Sequence, residues 1–197
     1  MATYNAIKYN VDYQGKAGSL IPIATTTITS GTSAVNFTSG INSDFNEYML
    51  IYTNVHPSLD GSGKAAFQVT TDGTNFNVTI TSTVHYMFSN HALDSLGVTQ
   101  HTGSDQAQGT SYQPLNAGGV GNDADQACAG WIRLFNPAST TFAKSFLARD
   151  ANYQDSDYIN DGFCAGYFNT TSAITGISFA MTSGNVDSGK FQLFGVH

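Results

Sequence analysis

Apolar and polar residues alternate in short runs along most of this chain, and no run carries the 3.6-residue spacing of a helix. The clearest run is the last. Ile177, Phe179 and Met181 fall on one face, and Ser178, Ala180 and Thr182 on the other. After Gly184-Asn185, Phe191, Leu193 and Gly195 continue the period of two. Such alternation about a Gly-Asn turn predicts a half-buried antiparallel hairpin. A core closed by this hairpin leaves no room for an appended domain, so one domain is expected.

The earlier runs predict further strands. Residues 25–28 and 34–37 flank Ser30-Gly31-Thr32-Ser33. Residues 48–55 form a nearly continuous apolar run, as a central strand requires, ended by His56-Pro57 because proline cannot donate to a ladder. Residues 64–71 alternate up to Asp72-Gly73, a strong hairpin signal, and residues 76–88 follow, long enough to bend or change sheets. Residues 89–126 are glycine-rich and read as a long loop, with one short strand near Tyr112–Leu115. Residues 127–135 are stopped by Asn136-Pro137, and 141–148 alternate again. Residues 150–161 read as a polar loop carrying Tyr153 and Tyr158, and 163–168 open the final group. The total is eight to ten strands. Residues 1–20 stand apart, with Tyr4, Ile7, Tyr9 and Tyr13 before a Gly-Lys-Ala-Gly break, and read as an arm that docks on a partner or on the domain's own flank.

Many short strands, Gly and Asn turns and no intervening helices predict an all-β antiparallel sandwich over residues 21–197. The jelly-roll type is favoured over an immunoglobulin type by the number of strands and their uneven connections. Composition sharpens this. Charged residues are only 11% of 197 and the net charge is −7, against about 25% charged in an average globular protein. An acidic chain lacks the basic face of a nucleic-acid binder and is not drawn to anionic membranes, and no apolar run has the length of a membrane span. No secretory leader is visible at the start, so synthesis in a cytoplasm is expected. Cys128 and Cys164 lie far apart in apolar runs. Buried free thiols are expected rather than a metal site, with a disulfide as the alternative.

No catalytic set emerges, so no enzymatic activity, cofactor or metal is expected. There is no Gly-x-Ser-x-Gly elbow, phosphate loop or dinucleotide fingerprint. His85, His91 and His101 match no ligand spacing. Acidic turns at Asp60–Gly63, Asn122–Asp125 and Asp155–Asp157 carry oxygens that suit Ca²⁺, or are simply solvated turns. Carbohydrate binding is the other class in view, since sugars are held by aromatic faces and side-chain amides and carboxylates. Tyr153, Asp155, Asp157, Tyr158, Asn160 and Asp161 offer such a set, as do Tyr112 and Gln113. The same tyrosines equally suit a subunit contact.

Several segments resemble a family of small virion proteins from tailed phages of marine and freshwater bacteria. They are Ile28–Phe37, Asp44–Tyr48, Thr70–Gly73, Leu134–Ser139, Gly166–Ile174 and Ser183–Gly195. The resemblance covers most of the chain after about residue 25 and rests on turn and core residues. It implies a jelly-roll module on the virion exterior, as a head decoration or cement, a short tail fibre or a knob. It also implies a symmetric oligomer, often a trimer, joined to capsid or tail proteins through the N-terminal arm, with a host surface glycan as a further partner.

Overall fold

The structure is a computed structural model, and it describes residues 20–197. The candidate attachment residues Tyr4, Ile7, Tyr9 and Tyr13 lie outside the described residues. Thirteen strands and one turn of 3-10 helix at Thr102–Ser104 are present, and there is no α-helix among the described residues. In order the strands are β1 Leu20–Ile28, β2 Val35–Phe37, β3 Glu47–Pro57, β4 Ala65–Thr70 and β5 Ile80–Asn90. Then come β6 Leu96–Gln100, β7 Ala107–Gly109, β8 Gln113–Pro114 and β9 Cys128–Phe135. The last four are β10 Lys144–Tyr153, β11 Tyr158–Phe168, β12 Gly176–Met181 and β13 Val186–Val196.

They form two antiparallel sheets of very different width. The large sheet runs β1-β13-β3-β9-β10-β11-β5-β6, with β7 pairing β5 off this path; the small one runs β2-β12-β4-β8. Four pairs are nested: β1 with β13, β2 with β12, β3 with β9 and β4 with β8. Two hairpins are inserted into that nest. β5–β6 leaves between β4 and β8, β10–β11 leaves between β9 and β12, and the two zip together along β11 and β5. The large sheet therefore extends beyond the small one.

The core lies between the sheets. Phe67 of β4 meets the rings of Phe146 and Phe168 edge-on, at 5.1 and 6.1 Å between centroids. Phe179 of β12 packs on Tyr52 at 4.8 Å and on Phe191 at 5.0 Å. Each such side chain contributes about 1.5–3 kcal/mol by leaving water. The ammonium of Lys144 closes this end of β10, donating to the carbonyls of Thr170 (3.1 Å) and Ser172 (2.6 Å). β4 and β12 are buried on both faces, because the chain folds back over the outside of the small sheet. There Gln68 donates to the carbonyls of Val78, Thr110 and Ser111.

Four expectations are corrected. The final pair is not a hairpin: β12 pairs β2 and β4 in the small sheet, while β13 pairs β1 and β3 in the large one. Alternation reports which face is buried and not which strand lies alongside, so two strands facing across a core look like two strands in one sheet. Asp72-Gly73 likewise lies on a crossing between sheets. The Asp72 carboxylate accepts from Thr74 N (2.8 Å), Asn75 N (2.7 Å) and the Thr70 hydroxyl (2.8 Å), a side-chain turn with no need of a paired strand. Residues 150–161 are mostly strand, with only 154–157 left as a turn between β10 and β11. Residues 89–126 carry β6 and β7 besides β8, which falls where the one short strand was expected, and the strand count rises above ten.

Candidate functional site

After Lys144 at its start, the inward positions of β10 read Phe146, Ala148, Asp150, Asn152, turning from apolar to polar midway along the strand. The small sheet covers the first part, and the segment 115–121 covers the second. A backbone segment presents carbonyls and amides that need partners, so polar side chains face it. Tyr52 donates to Asp150 Oδ1 (2.7 Å) and Asn116 Nδ2 to Asp150 Oδ2 (3.1 Å). Asn152 donates to Gly118 O (2.9 Å), and Asn160 Nδ2 donates to Asn152 Oδ1 (3.0 Å) and Gln154 Oε1 (2.9 Å). A Cβ on Gly118 would stand 2.5 Å from Asn160 Nδ2, so only glycine lets the segment lie this close to the amides. Asp150 is fully buried with no cation partner among the described residues, and burial raises its carboxyl to about 6. The Tyr52 phenol is pushed up by the same burial and by that carboxylate.

The amide row ends at a cleft of about 370 Å³, within the range of small-molecule sites. It lies on the inner face of the large sheet where β5, β6 and the start of β11 extend past the small sheet. Phe88 forms its aromatic wall between Tyr86 (5.5 Å) and Tyr158 (6.2 Å). Gly97 of β6 gives the Phe88 ring its place, since a Cβ there would lie 3.0 Å from Cζ. His101, Gln154 and Asn160 supply the polar wall.

His101 and Ser104 resemble part of a hydrolytic dyad but cannot act as one. Ser104 is buried, and its hydroxyl donates to Asn116 O at 3.0 Å. It accepts from Lys64 Nζ (3.3 Å), and His101 Nδ1, at 2.9 Å, is therefore assigned as a donor to it. Its proton is committed to a carbonyl, whereas a nucleophile must give that proton to the base. His85 lies flat against Phe163 on the outer face, with centroids 5.2 Å apart, and His91 stands by Tyr153.

The structure divides the candidate binding residues. Tyr158 and Asn160 line the cleft. Tyr153 donates to Asp157 (2.9 Å) at the β10–β11 turn. Asp155 lies against Gly61, and Asp161 pairs with Arg149 (2.6 Å) on the outer face. Gln113 is not on a loop surface: it is buried between the sheets, accepting from Ser82 (2.5 Å) and donating to Ser104 O (2.9 Å). Tyr112 is half-buried on the outside of the small sheet, its hydroxyl 2.7 Å from that of Ser178. The acidic turns meet at one end, where Asn122 N donates to Asp60 Oδ1 (3.1 Å). Among the described residues they make no cluster of three or more ligating side chains fit for a metal ion. Cys128 and Cys164 are buried free thiols, as expected, and burial raises both pKa values.

Sequence reasoning missed Tyr86, Phe88 and Gln154 in the cleft lining, and weighed His101 only as a metal ligand. Tyr86 and Phe88 continue the alternation of Ile80 and Val84, and so read as core.

A second surface lies on the outer face of the large sheet. Ile51, Ala129, Trp131, Ala151 and Ile159 line an apolar depression of about 490 Å³, bordered by the Arg149–Asp161 pair. Leu96, Val98 and Met87 extend the exposed apolar surface across β6 and β5.

No protein-family model, no curated protein and no solved structure matches this chain.

Proposed function

We propose that this chain is a non-enzymatic structural protein of the exterior of a bacteriophage particle. It is a capsid decoration or cement protein, or a short tail-fibre or knob protein, made in the host cytoplasm and assembled as a symmetric oligomer, a trimer. The observation that carries the reading is the nested order of pairing. Pairs β1–β13, β2–β12, β3–β9 and β4–β8, alternating between two sheets, are what a single long hairpin gives when it is rolled up as a jelly roll. Viral capsid and lectin domains use this architecture. Fold alone does not give function; the resemblance of the turn and core segments to phage virion proteins supports the particle. The apolar outer face with Ile51, Trp131 and Ile159 supports the oligomer, because exposed patches of this kind mark association surfaces. Residues 1–20 are the attachment to the particle.

Removal of residues 1–20 tests this directly. The remaining body is expected to keep its thermal unfolding and its oligomer mass by sedimentation, and to be missing from purified particles. A body that no longer folds, or that still joins particles, would overturn the attachment role.

A second reading is a carbohydrate-binding module that recognises a host surface glycan. The cleft beneath β5 and β6 favours it, because aromatic faces and uncharged polar groups meet there. The two readings are compatible, since an exterior virion protein is placed to touch the host.

A further inference from the structure

We propose that the cleft between Phe88, Tyr158 and Asn160 binds one uncharged pyranose ring of a surface glycan, stacking it on the aromatic wall and bonding its hydroxyls along the polar wall. The inference rests on the glycan-recognition reading, and supplies its site and ligand class.

A pyranose has two apolar C–H faces and a rim of hydroxyls that both donate and accept. A site for it needs aromatic surface on one side and neutral donors and acceptors on the other. The Tyr86-Phe88-Tyr158 row is the surface. The polar wall has capacity to spare. Asn160 is only 2% exposed, and both its side-chain bonds are donations from Nδ2, so its Oδ1 accepts nothing from the described residues. Gln154 Oε1 is taken by Asn160, which leaves Nε2 to donate. The bond from His101 Nδ1 to Ser104 leaves Nε2 as an acceptor. Burial and the nearby Lys64 ammonium lower the pKa of that imidazole and favour its neutral form. The hydroxyls of Tyr86 and Tyr158 are also without partners among the described residues.

The lining decides the class of sugar. Among the described residues it holds no lysine, arginine or carboxylate. A uronic or sialic acid would bring a carboxylate that no lining cation pairs, since the nearby Lys64 ammonium is bonded to buried Ser104, and burying an unpaired charge is costly. The amides are also held in place before any ligand arrives. Asn160 is fixed by Asn152 and Gln154, and Asn152 by Gly118, so little side-chain freedom is lost on binding.

Calorimetric titration of the full-length chain with methyl glucopyranoside, methyl galactopyranoside, N-acetylglucosamine and glucuronate tests the proposal. At least one neutral sugar is expected to saturate the protein with a Kd on the order of 1 mM, and glucuronate to bind at least about tenfold more weakly. Tyr158→Ala should weaken the neutral sugar about tenfold, with far-ultraviolet dichroism unchanged. Should Tyr158→Ala unfold, Tyr158→Phe and Gln154→Ala take its place, each with an expected loss of several-fold. If no sugar binds at ten times the expected Kd, the site and the glycan reading both fail. Binding that persists unweakened in folded variants overturns the cleft but leaves recognition elsewhere on the protein. Preference for glucuronate overturns the assignment to uncharged sugars.

Discussion

The strand pair β10–β11 passes through two different interiors. At one end Phe146 and Phe168 meet Phe67 of the small sheet, and their rings pack edge-on and tilted at 5.0–6.1 Å. At the other end Asp150, Asn152 and Asn160 meet the segment 115–121, and the contacts are hydrogen bonds. Both ends are buried, but for different reasons. Where a second sheet covers the strands, its backbone is already paired within its own ladder and only apolar side chains are needed. Where a loop covers them, its carbonyls and amides must be matched, and burying them unmatched would cost about 1–3 kcal/mol each. The apolar end holds the fold together. The polar end gives up packing in exchange for a fixed array of amides beside an open cleft.

If that division is right, the largest loss comes from the apolar end. Phe146→Ala removes a fully buried ring that touches both Phe67 and Phe168, and leaves a cavity between sheets that cannot close over it. A destabilisation of about 3–5 kcal/mol is expected in urea or thermal unfolding. A loss below about 1 kcal/mol would mean the two sheets are not packed through this cluster.

The polar end should show itself through pH. Asp150 is raised from 3.8 to about 6 in the folded protein, so the folded state holds its proton more tightly than the unfolded chain. Stability from this group is therefore complete below about pH 4 and is lost as pH rises through about 6. The shift corresponds to about 3 kcal/mol at most. His101 acts with the opposite sign: its folded pKa is lowered, so its contribution grows as pH rises through its ordinary range. The difference between wild type and Asp150→Asn, measured as melting temperature from pH 4 to 7.5, isolates the carboxylate. Equal slopes in the two proteins would remove Asp150 from the account.

The apolar end was legible in the sequence and the polar end was not. Ile177, Phe179 and Met181 face the core as their alternation predicts, and the continuous apolar run of residues 48–55 is a central strand with Tyr48, Leu50 and Tyr52 inward. The all-β antiparallel class follows from such runs. Sheet membership does not, which is why β12–β13 and Asp72-Gly73 read as hairpins. Asp150, Asn152 and Asn160 keep the period of two, yet polar residues at every inward position look like a loop. Their burial depends on Asn116 and Gly118, more than thirty residues away in sequence. The cleft depends on one sheet being wider than the other, a property of the whole topology and of no single segment. Tyr158 and Asn160, singled out because aromatic and amide residues cluster near that turn, line the cleft, whereas Tyr86 and Phe88 were hidden in a strand.

A middle-sized effect lies at the junction of the two ends. Asn116→Ala removes the donor to Asp150 Oδ2 and to the Asp150 carbonyl, leaving a buried carboxyl with Tyr52 as its remaining side-chain partner. A cost of about 1–3 kcal/mol is expected. The penalty should be larger at pH 7.5 than at pH 4.5, since the protonated acid needs that donor less. A penalty that does not change with pH would place the role of Asn116 in covering the strands and not in partnering the acid.

Gln154→Ala is the smallest change and the sharpest test of what the polar end is for. Gln154 sits half-exposed at the turn between β10 and β11, and its side chain accepts one hydrogen bond, from Asn160 Nδ2. One N–H of that amide keeps Asn152 Oδ1 as its acceptor, so the network loses one bond and the second Asn160 N–H loses its acceptor beside the open cleft. The expected cost is about 0.5–1 kcal/mol, within reach of careful urea titration. Sugar binding should fall several-fold in the same protein, because the Nε2 donor at the rim is gone while the aromatic wall remains. Phe146→Ala should do the reverse, weakening the fold severely while leaving the affinity of the molecules that stay folded unchanged. Two variants on one strand pair, one costly to stability and the other to recognition, would separate scaffold from site. If both lost stability and binding in proportion, the two ends would be a single cooperative unit, and the cleft would be no more than the edge of the core.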